Sequence, residues 1–355
     1  MDIWKTVPFE PDYHNIVQAA SNRWPNRLPL YEHGIGDGII EAISGARPQE
    51  KMWRGTSSEQ AEGCREFWEF WKSAGYDTAS MEFQITGILP GGGALGAHKD
   101  GCIKCCEDFE RYPWEELPFL FFEKYAPLIQ TFSSSCPAGM MAIGGVGNGI
   151  FECVQDLVGY MDLCYMKADD EELYRDLFYK MADVHFQIWD RFMEQYSDSF
   201  CLLRFGDDLG FDTSTLISHD DIFQLVLPGY KRIVERVHQA GKPFLLHSCG
   251  NLFDIFDEII ELSGIDAKHS NEDKIGHFSV WVERYGDRIG NFGGIDTDVV
   301  ARYSSSEIRE YVKDCLDKVQ NHGGIAFGSG NSIPDYVSAE GYMTMVETVR
   351  SWRGA

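Results

Sequence analysis

The chain has 355 residues, of which 44% are hydrophobic and 14% aromatic, and its formal net charge at pH 7 is −25. This hydrophobic content is ample for a large folded core and excludes a mainly disordered chain. The negative charge disfavours nucleic acid and anionic membrane surfaces as partners, because both require clustered lysine and arginine. The sequence has no long apolar run and no basic, apolar leader, so we expect a cytoplasmic protein whose ten cysteines stay reduced.

Eight short apolar runs have the length and composition of buried parallel strands. They lie at residues 27–33, 80–89, 140–146, 200–205, 242–247, 265–269, 288–294 and 325–329. Most are followed by an amphipathic stretch with helical spacing, as at 57–74, 171–196, 221–240 and 305–322. The alternation predicts an α/β fold, a (β/α)8 TIM barrel, that spans 1–355 as a single domain. The Gly- and Cys-rich stretch at about 89–114 predicts an extended loop.

The strongest chemical signal is the segment LLHSCGN, in which His247 and Cys249 follow an apolar run. Side chains two residues apart in an extended backbone face the same side, and at the end of a barrel strand that side is the active-site mouth. An imidazole nitrogen and a thiolate placed together supply half of a tetrahedral zinc site. A buried thiol beside a hydrogen-bonded histidine is the alternative that the spacing leaves open.

Further polar residues stand at the ends of other predicted strands. Asp207 and Asp208 follow the fourth strand, and because only one of two neighbours can face inwards we favour Asp208. Glu32 and His33 after the first strand, and His269 after the sixth, are candidates for the same mouth. A purely structural role is the alternative for each of these side chains.

The predicted loop carries a second cluster of metal-binding residue types. His98 is followed by Cys102, Cys105 and Cys106, a spacing that could bind zinc or an iron–sulfur cluster, or form a redox disulfide. Reduced thiols in a mobile loop are the alternative, in which His98 alone could reach the mouth and join a zinc site. Residues 91–96 match GxGxxG, but no strand that ends in an acidic residue follows about twenty positions later, which favours a lid over a nucleotide site.

The segments LLHSCGN, IDAKHSNED, GNFGGIDTD and FGSGNSIPDYVSAEGY together resemble the uroporphyrinogen decarboxylase superfamily, over roughly residues 200–350. That superfamily has a (β/α)8 barrel, in agreement with the independent strand count. It contains cofactor-free decarboxylases and zinc-dependent methyltransferases that act with a corrinoid protein. The methyltransferase branch resembles this chain best, which implies a Zn²⁺ cofactor, a corrinoid-protein partner, and His247 and Cys249 as zinc ligands.

The sequence departs from that branch at one position. The branch has a second Cys after the last strand, whereas residues 328–331 here, Gly-Ser-Gly-Asn, contain no thiol. The third protein ligand is therefore open, and the strand-end candidates for it are Glu32, His33, Glu82, Asp208, His269 and Asp296. A carboxylate or imidazole in this place would leave the zinc a harder Lewis acid than two thiolates would.

These observations predict a zinc-dependent methyltransferase that moves a methyl group between a small substrate, for instance a methoxylated aromatic, and a corrinoid protein. The predicted metal ligands are His247, Cys249, Glu82 and His98; the predicted catalytic residues are Asp208, Asn251 and Asp296; and the predicted substrate-binding residues are Glu32, His33, His269 and Asn331. The alternatives are a decarboxylase, for which Gln84 stands where the decarboxylases have an aspartate, and a ligand-binding barrel without catalysis. The oligomeric state is open, with a homodimer as one candidate.

Overall fold

The protein's structure, a computed structural model, describes residues 9–96 and 99–354. Its centre is a curled sheet of seven strands in the spatial order β1 to β7, in which every neighbouring pair is parallel. The strands are β1 (Thr78–Gln84), β2 (Met141–Gly147), β3 (Phe200–Gly206), β4 (Phe244–His247), β5 (Ala267–His269), β6 (Gly290–Ile295) and β7 (Ile325–Ser329). The predicted α/β class is confirmed, and all carboxyl ends of the sheet lie on one side.

Helices connect the strands and cover the outer face of the sheet. In the described residues the α-helices are α1 (His14–Ala20), α2 (Asp37–Ser44), α3 (Pro48–Arg54), α4 (Ser57–Ala74), α5 (Cys106–Arg111), α6 (Leu117–Ser134), α7 (Ile150–Val158), α8 (Tyr160–Asp169), α9 (Glu171–Gln195), α10 (His219–Asp221), α11 (Leu227–Gln239), α12 (Phe256–Ser263), α13 (Phe278–Tyr285), α14 (Thr297–Arg302), α15 (Ser305–Val319) and α16 (Ala339–Trp352). Single 3-10 turns lie at Ile85–Ile88, Trp114–Glu116 and Ser197–Ser199, and a π-helical turn at Ile222–Val226 leads into α11. None of the helices in the described ranges is both long and apolar enough to cross a bilayer.

The segment predicted as the first strand, 27–33, is extended but forms only one bridge, between Leu30 and Phe327 of β7. Tyr31 N donates to Phe327 O at 3.0 Å, and Phe327 N donates to Pro29 O at 2.9 Å. On its other side, the Ser80 hydroxyl of β1 donates to Glu32 O. The segment thus lies between β7 and β1, where the predicted eight-stranded barrel would have a regular strand.

The predicted second strand, 80–89, ends five residues early, at Gln84. The rest of the predicted strand forms the 3-10 segment Ile85–Ile88, because side chains there make hydrogen bonds with backbone groups that a strand would pair with its neighbour. The Asn148 carboxamide oxygen accepts from Thr86 N at 3.2 Å, and the Tyr125 hydroxyl donates to Gln84 O at 2.9 Å. The predicted loop at 89–114 likewise contains a short helix, α5.

The core has two layers, one on each side of the sheet. The outer layer packs the helices against the strands, and the inner layer is a small cluster that includes Tyr31, Leu202 and Phe292 inside the curl. Helix α1 contributes Ile16 and Ala19 to that inner cluster, close to the amino ends of the strands. Apolar side chains therefore fill the inside of the curl towards the amino ends of the strands, and polar side chains lie at the carboxyl ends.

Candidate metal centre

The site is built around His247, the last residue of β4, and Cys249, two residues later. Burial is nearly complete at His247, which is 6% exposed, and its Nε2 lies 3.5 Å from Cys249 Sγ. The two side chains thus face the same side of the backbone at the carboxyl edge of the sheet. Nitrogen and sulfur donors at this separation can share one metal ion.

Asp208 completes a group of three different donors. It follows β3, the neighbour of β4, and its Oδ1 accepts from Cys249 N at 2.9 Å. The same oxygen lies 3.7 Å from His247 Nε2, and its side chain is 42% exposed. The ligand atoms of Asp208, His247 and Cys249 all lie within 4.8 Å of one another.

Asp207, the neighbour of Asp208, faces away from this group. It is fully buried and accepts from Glu152 N at 2.8 Å and from the Tyr230 hydroxyl at 2.6 Å, at the start of helix α7. Burial raises its pKa to about 6. Asp207 therefore anchors a helix terminus, and Asp208 is the member of the pair that lies beside His247.

A second group of possible ligands shares His247. The ring nitrogens of His33, His247 and His269 also lie within 4.8 Å of one another. His247 Nδ1 is 2.7 Å from His269 Nδ1, and the His33 ring stacks on the His247 ring with centroids 3.9 Å apart. His33 Nδ1 is buried and has no hydrogen-bond partner in the described part of the chain.

The surroundings of the Cys249 thiol are polar but enclosed. Asn331 Nδ2 donates to Sγ at 3.3 Å, and the Ser270 hydroxyl lies 3.5 Å from it. Burial raises the pKa of the thiol to about 12. A cation beside the sulfur is therefore needed to hold a thiolate at neutral pH, and the two neighbouring donors would stabilise that thiolate.

The three histidines are kept neutral by their burial. Loss of solvation lowers the pKa of His247 to about 4, and it holds the pKa values of His33 and His269 well below the ordinary histidine range. A neutral imidazole offers the lone pair that a metal ligand needs. The donor types present, one thiol with imidazole and carboxylate groups, fit Zn²⁺.

Glu82, a predicted metal ligand, forms an ion pair inside the curled sheet. Its Oε1 accepts from Arg204 Nε at 2.6 Å, and both side chains are almost completely buried. Arg204 also donates to the Tyr31 hydroxyl at 2.7 Å and to His33 O at 3.2 Å. Sequence reasoning did not single out Arg204, although a lone charge in the apolar strand FCLLRF was the available signal.

Glu32, a predicted substrate-binding residue, is fully buried. It accepts from Ser329 N at 3.2 Å and from the Ser329 hydroxyl, and the Tyr76 hydroxyl lies 3.4 Å away. Burial raises its pKa to about 8. The structure therefore ties Glu32 to the end of β7, out of contact with solvent.

Asn251 and Asp296, two predicted catalytic residues, hold local backbone structure. Asn251 Oδ1 accepts from Phe253 N at 3.2 Å. Asp296 caps helix α14 by accepting from Asp298 N at 2.7 Å, and its other oxygen accepts from Asp273 N at 2.7 Å. Of these two, Asp296 also lines the large cavity described below.

His98 lies outside the described residues, so its predicted metal role stays a prediction. The three loop cysteines have separate neighbours: Cys102 Sγ lies 3.7 Å from Pro90 O, Cys105 Sγ 3.4 Å from Asp108, and Cys106 Sγ 3.5 Å from Asp170. All three are free thiols. The described part of the loop does not bring them together around one ion.

A cavity of about 780 Å³ is lined by residues that follow β5, β6 and β7, and its lining does not include Asp208, His247 or Cys249. Its lining includes Asp296, Arg302, Tyr303, Asn331 and Tyr336. Asn331 links the cavity to the centre, because its amide group also contacts Cys249 Sγ. The volume is in the range typical of small-molecule sites.

With this geometry established, comparison with known proteins identifies the family. The family model for uroporphyrinogen decarboxylase (URO-D) matches residues 122–352, well over half of the chain. The chain belongs to the uroporphyrinogen decarboxylase family. The membership predicted from the LLHSCGN and FGSGNSIPDYVSAEGY segments is confirmed. No curated protein sequence matches the chain significantly.

Solved structures show the same fold at low sequence identity. A methyltransferase from Methanosarcina mazei is 14% identical, with a TM-score of 0.67 over 95% of this chain and 98% of its own. A B12-independent methionine synthase from Shewanella sp. W3-18-1, in complex with selenomethionine, is 13% identical, with a TM-score of 0.52 over 92% of this chain and 98% of its own. A putative vitamin-B12 independent methionine synthase from Listeria monocytogenes is 13% identical, with a TM-score of 0.50 over 93% of this chain and all of its own. At these identities the likeness establishes the fold alone.

Proposed function

We propose that this member of the URO-D family is a zinc-dependent methyltransferase that moves a methyl group between a small substrate and a corrinoid protein. The observation that carries the proposal is the convergence of His247 Nε2, Cys249 Sγ and the Asp208 carboxylate within 4.8 Å. This convergence lies at the carboxyl edge of the strands, and Asn331, which contacts Cys249 Sγ, also lines a cavity of about 780 Å³. Active sites of barrel enzymes lie at that edge.

Zinc held there would stabilise negative charge on a heteroatom that loses a methyl group, or activate a thiol that accepts one. Around the ion, the chain's own residues have separate tasks. Asn331 and Ser270 direct hydrogen-bond donors at the Cys249 sulfur. Cys249 N holds the Asp208 carboxylate in place, since it donates to Oδ1 at 2.9 Å.

The ligand set supports demethylation of the small substrate as the direction of transfer. Asn331 stands close to Cys249 in the segment where a second thiol would follow the last strand. Zinc with a single thiolate is a harder Lewis acid, which suits a leaving oxygen or nitrogen better than a leaving sulfur. We therefore propose a methoxylated aromatic or a methylated amine as the methyl donor, bound in the cavity that Tyr303 and Tyr336 help to line.

We propose that the sheet and the 27–33 segment act together as one (β/α)8-type barrel domain, and that the protein works in the cytoplasm. The corrinoid protein would dock over the loops at the carboxyl ends of the strands, because the methyl group must pass directly from substrate to cobalt.

The test combines zinc analysis with a transfer assay. We expect the purified protein to hold about one zinc ion per chain, and His247→Ala or Cys249→Ala to lose it, because each variant removes a ligand. With cob(I)alamin as the methyl acceptor, the zinc-loaded protein should form methylcobalamin from a methoxylated aromatic or a methylamine, followed by absorbance.

Cys164→Ala, which removes an exposed thiol of helix α8, serves as the matched control for Cys249→Ala and should keep both zinc and activity. Undiminished zinc in His247→Ala would contradict the proposal. Release of carbon dioxide from uroporphyrinogen by metal-free protein would instead support the decarboxylase alternative.

A further inference from the structure

We infer that His269 fixes the direction and tautomer of His247, so that the metal ion is bound between His247 Nε2, Cys249 and Asp208 and not among the three histidines. The inference rests on the proposed function in one respect, since it takes a metal ion to be bound at His247. Its basis is a chain of hydrogen bonds that runs from β4 through β5 to β7.

The chain of hydrogen bonds begins at a backbone carbonyl. His269 Nε2 lies 3.2 Å from Ser329 O, which can only accept a hydrogen bond. His269 Nε2 therefore carries a hydrogen. His269 is 0% exposed, and no carboxylate of the described residues is hydrogen-bonded to its ring, so a second hydrogen at Nδ1 would create a buried cation without a counter-charge. Nδ1 therefore has a lone pair and accepts a hydrogen bond.

The acceptor at His269 determines the tautomer of His247. The two Nδ1 atoms are 2.7 Å apart, so one hydrogen lies between them and it belongs to His247. His247 is then unprotonated at Nε2. That lone pair points to the side of Cys249 Sγ, 3.5 Å away, and Asp208 Oδ1, 3.7 Å away.

The same hydrogen positions exclude the group of His33, His247 and His269 as the ligands of one metal ion. Both nitrogens of His269 are already used, one as donor to Ser329 and one as acceptor from His247. His33 is stacked face to face on His247, with an interplanar angle of 24°. Nitrogen lone pairs lie in the planes of their rings, so two stacked rings direct them along separate planes and not at a common point. His269 is thus a positioning residue, and Asp208 is the third protein ligand.

Zinc affinity in a set of variants separates the two arrangements. We expect His269→Leu to weaken zinc binding about 10- to 100-fold, the usual loss when the partner of a ligating histidine is removed. His269→Gln, which can both accept and donate, should restore part of the affinity. Asp208→Asn should weaken binding as well, whereas His33→Phe, which keeps a stacked ring without a nitrogen, should retain the wild-type affinity.

A second readout needs no metal. Imidazole nitrogen NMR of the metal-free, histidine-labelled protein should show His247 protonated at Nδ1, and His269→Leu should shift it towards the other tautomer. A His247 ring protonated at Nε2, or loss of zinc in His33→Phe as complete as in Cys249→Ala, would overturn the inference. A protein with the expected tautomer that binds no zinc would contradict the proposed function and leave the positioning role of His269 standing.

Discussion

Arg204 places a buried cation inside the curl of the sheet, in contact with the backbone of His33. Its guanidinium is shared among Glu82, the Tyr31 hydroxyl and the backbone oxygen of His33. The ion pair therefore ties β3 to β1 and to the 27–33 segment, which lacks regular strand pairing of its own. A buried charge of this kind is tolerated only while its partner is present.

Removal of one partner of this pair should destabilise the fold strongly. We expect Arg204→Met to lower the free energy of unfolding by about 3–5 kcal/mol, because Glu82 would be left as an uncompensated buried charge. Denaturant unfolding at neutral pH measures this loss. The double variant Arg204→Met/Glu82→Gln should recover part of it, and a double variant with the full sum of both single losses would contradict the ion-pair explanation.

The metal-binding pair and its common direction could be predicted from local sequence, whereas the residues around it could be predicted only as strand-end candidates, without their contacts. His247 and Cys249 are two residues apart at the end of an apolar run, so their common direction follows from strand geometry. Their partners Asp208, His269 and Asn331 are distant in sequence. Which of them contacts His247 and which contacts Cys249 depends on how the neighbouring strands are aligned in the sheet. Glu82 looked like a free strand-end carboxylate because nothing local shows that Arg204, 122 residues later, engages it.

At the scale of elements, helix α9 carries a titratable group in its buried face. His185 is fully buried, its Nε2 lies 3.4 Å from Cys153 Sγ, and burial lowers its pKa to about 3. The unfolded chain binds a proton at this residue near the ordinary histidine pKa, whereas the folded chain does not. The contribution of His185 to stability is therefore complete above the ordinary histidine pKa and is lost as the pH falls towards 3.

This titration should be visible in unfolding experiments. Between pH 7 and pH 5.5 the wild-type protein should lose about 1 kcal/mol of unfolding free energy through His185. His185→Leu should show a smaller loss over the same range, whatever its stability at pH 7. The unfolding free energy is measured by urea unfolding at the two pH values. An equal loss in both proteins would mean that groups other than His185 cause it.

Strand positions were largely predictable because parallel strands buried on both faces form continuous apolar runs. The last predicted strand, 325–329, matches β7 at both ends. The errors arise where side chains replace strand hydrogen bonds. Asn148 and Tyr125 end β1 early, and the 27–33 segment is held by two backbone bonds to β7 and the Ser80 hydroxyl.

At the scale of the whole molecule, packing and chemistry lie at opposite ends of the sheet. Helix α1 packs near the amino ends of the strands, while Asp208, His247, Cys249 and Asn331 come from the carboxyl ends of β3, β4 and β7 or the residues just beyond. Strand-end side chains can change with little effect on the packed interior. The same fold is found in solved structures that are 13–14% identical to this chain. In this chain, which lacks a thiol at residues 328–331, the strand ends bring together a sulfur, a nitrogen and an oxygen donor.

X-ray absorption at the zinc edge of the zinc-loaded wild-type protein counts the sulfur ligands of the ion. We expect one sulfur at about 2.3 Å, with nitrogen and oxygen ligands at about 2.0–2.2 Å. A shell with two sulfurs, or one made of nitrogen and oxygen alone, would contradict a zinc ion bound by His247, Cys249 and Asp208.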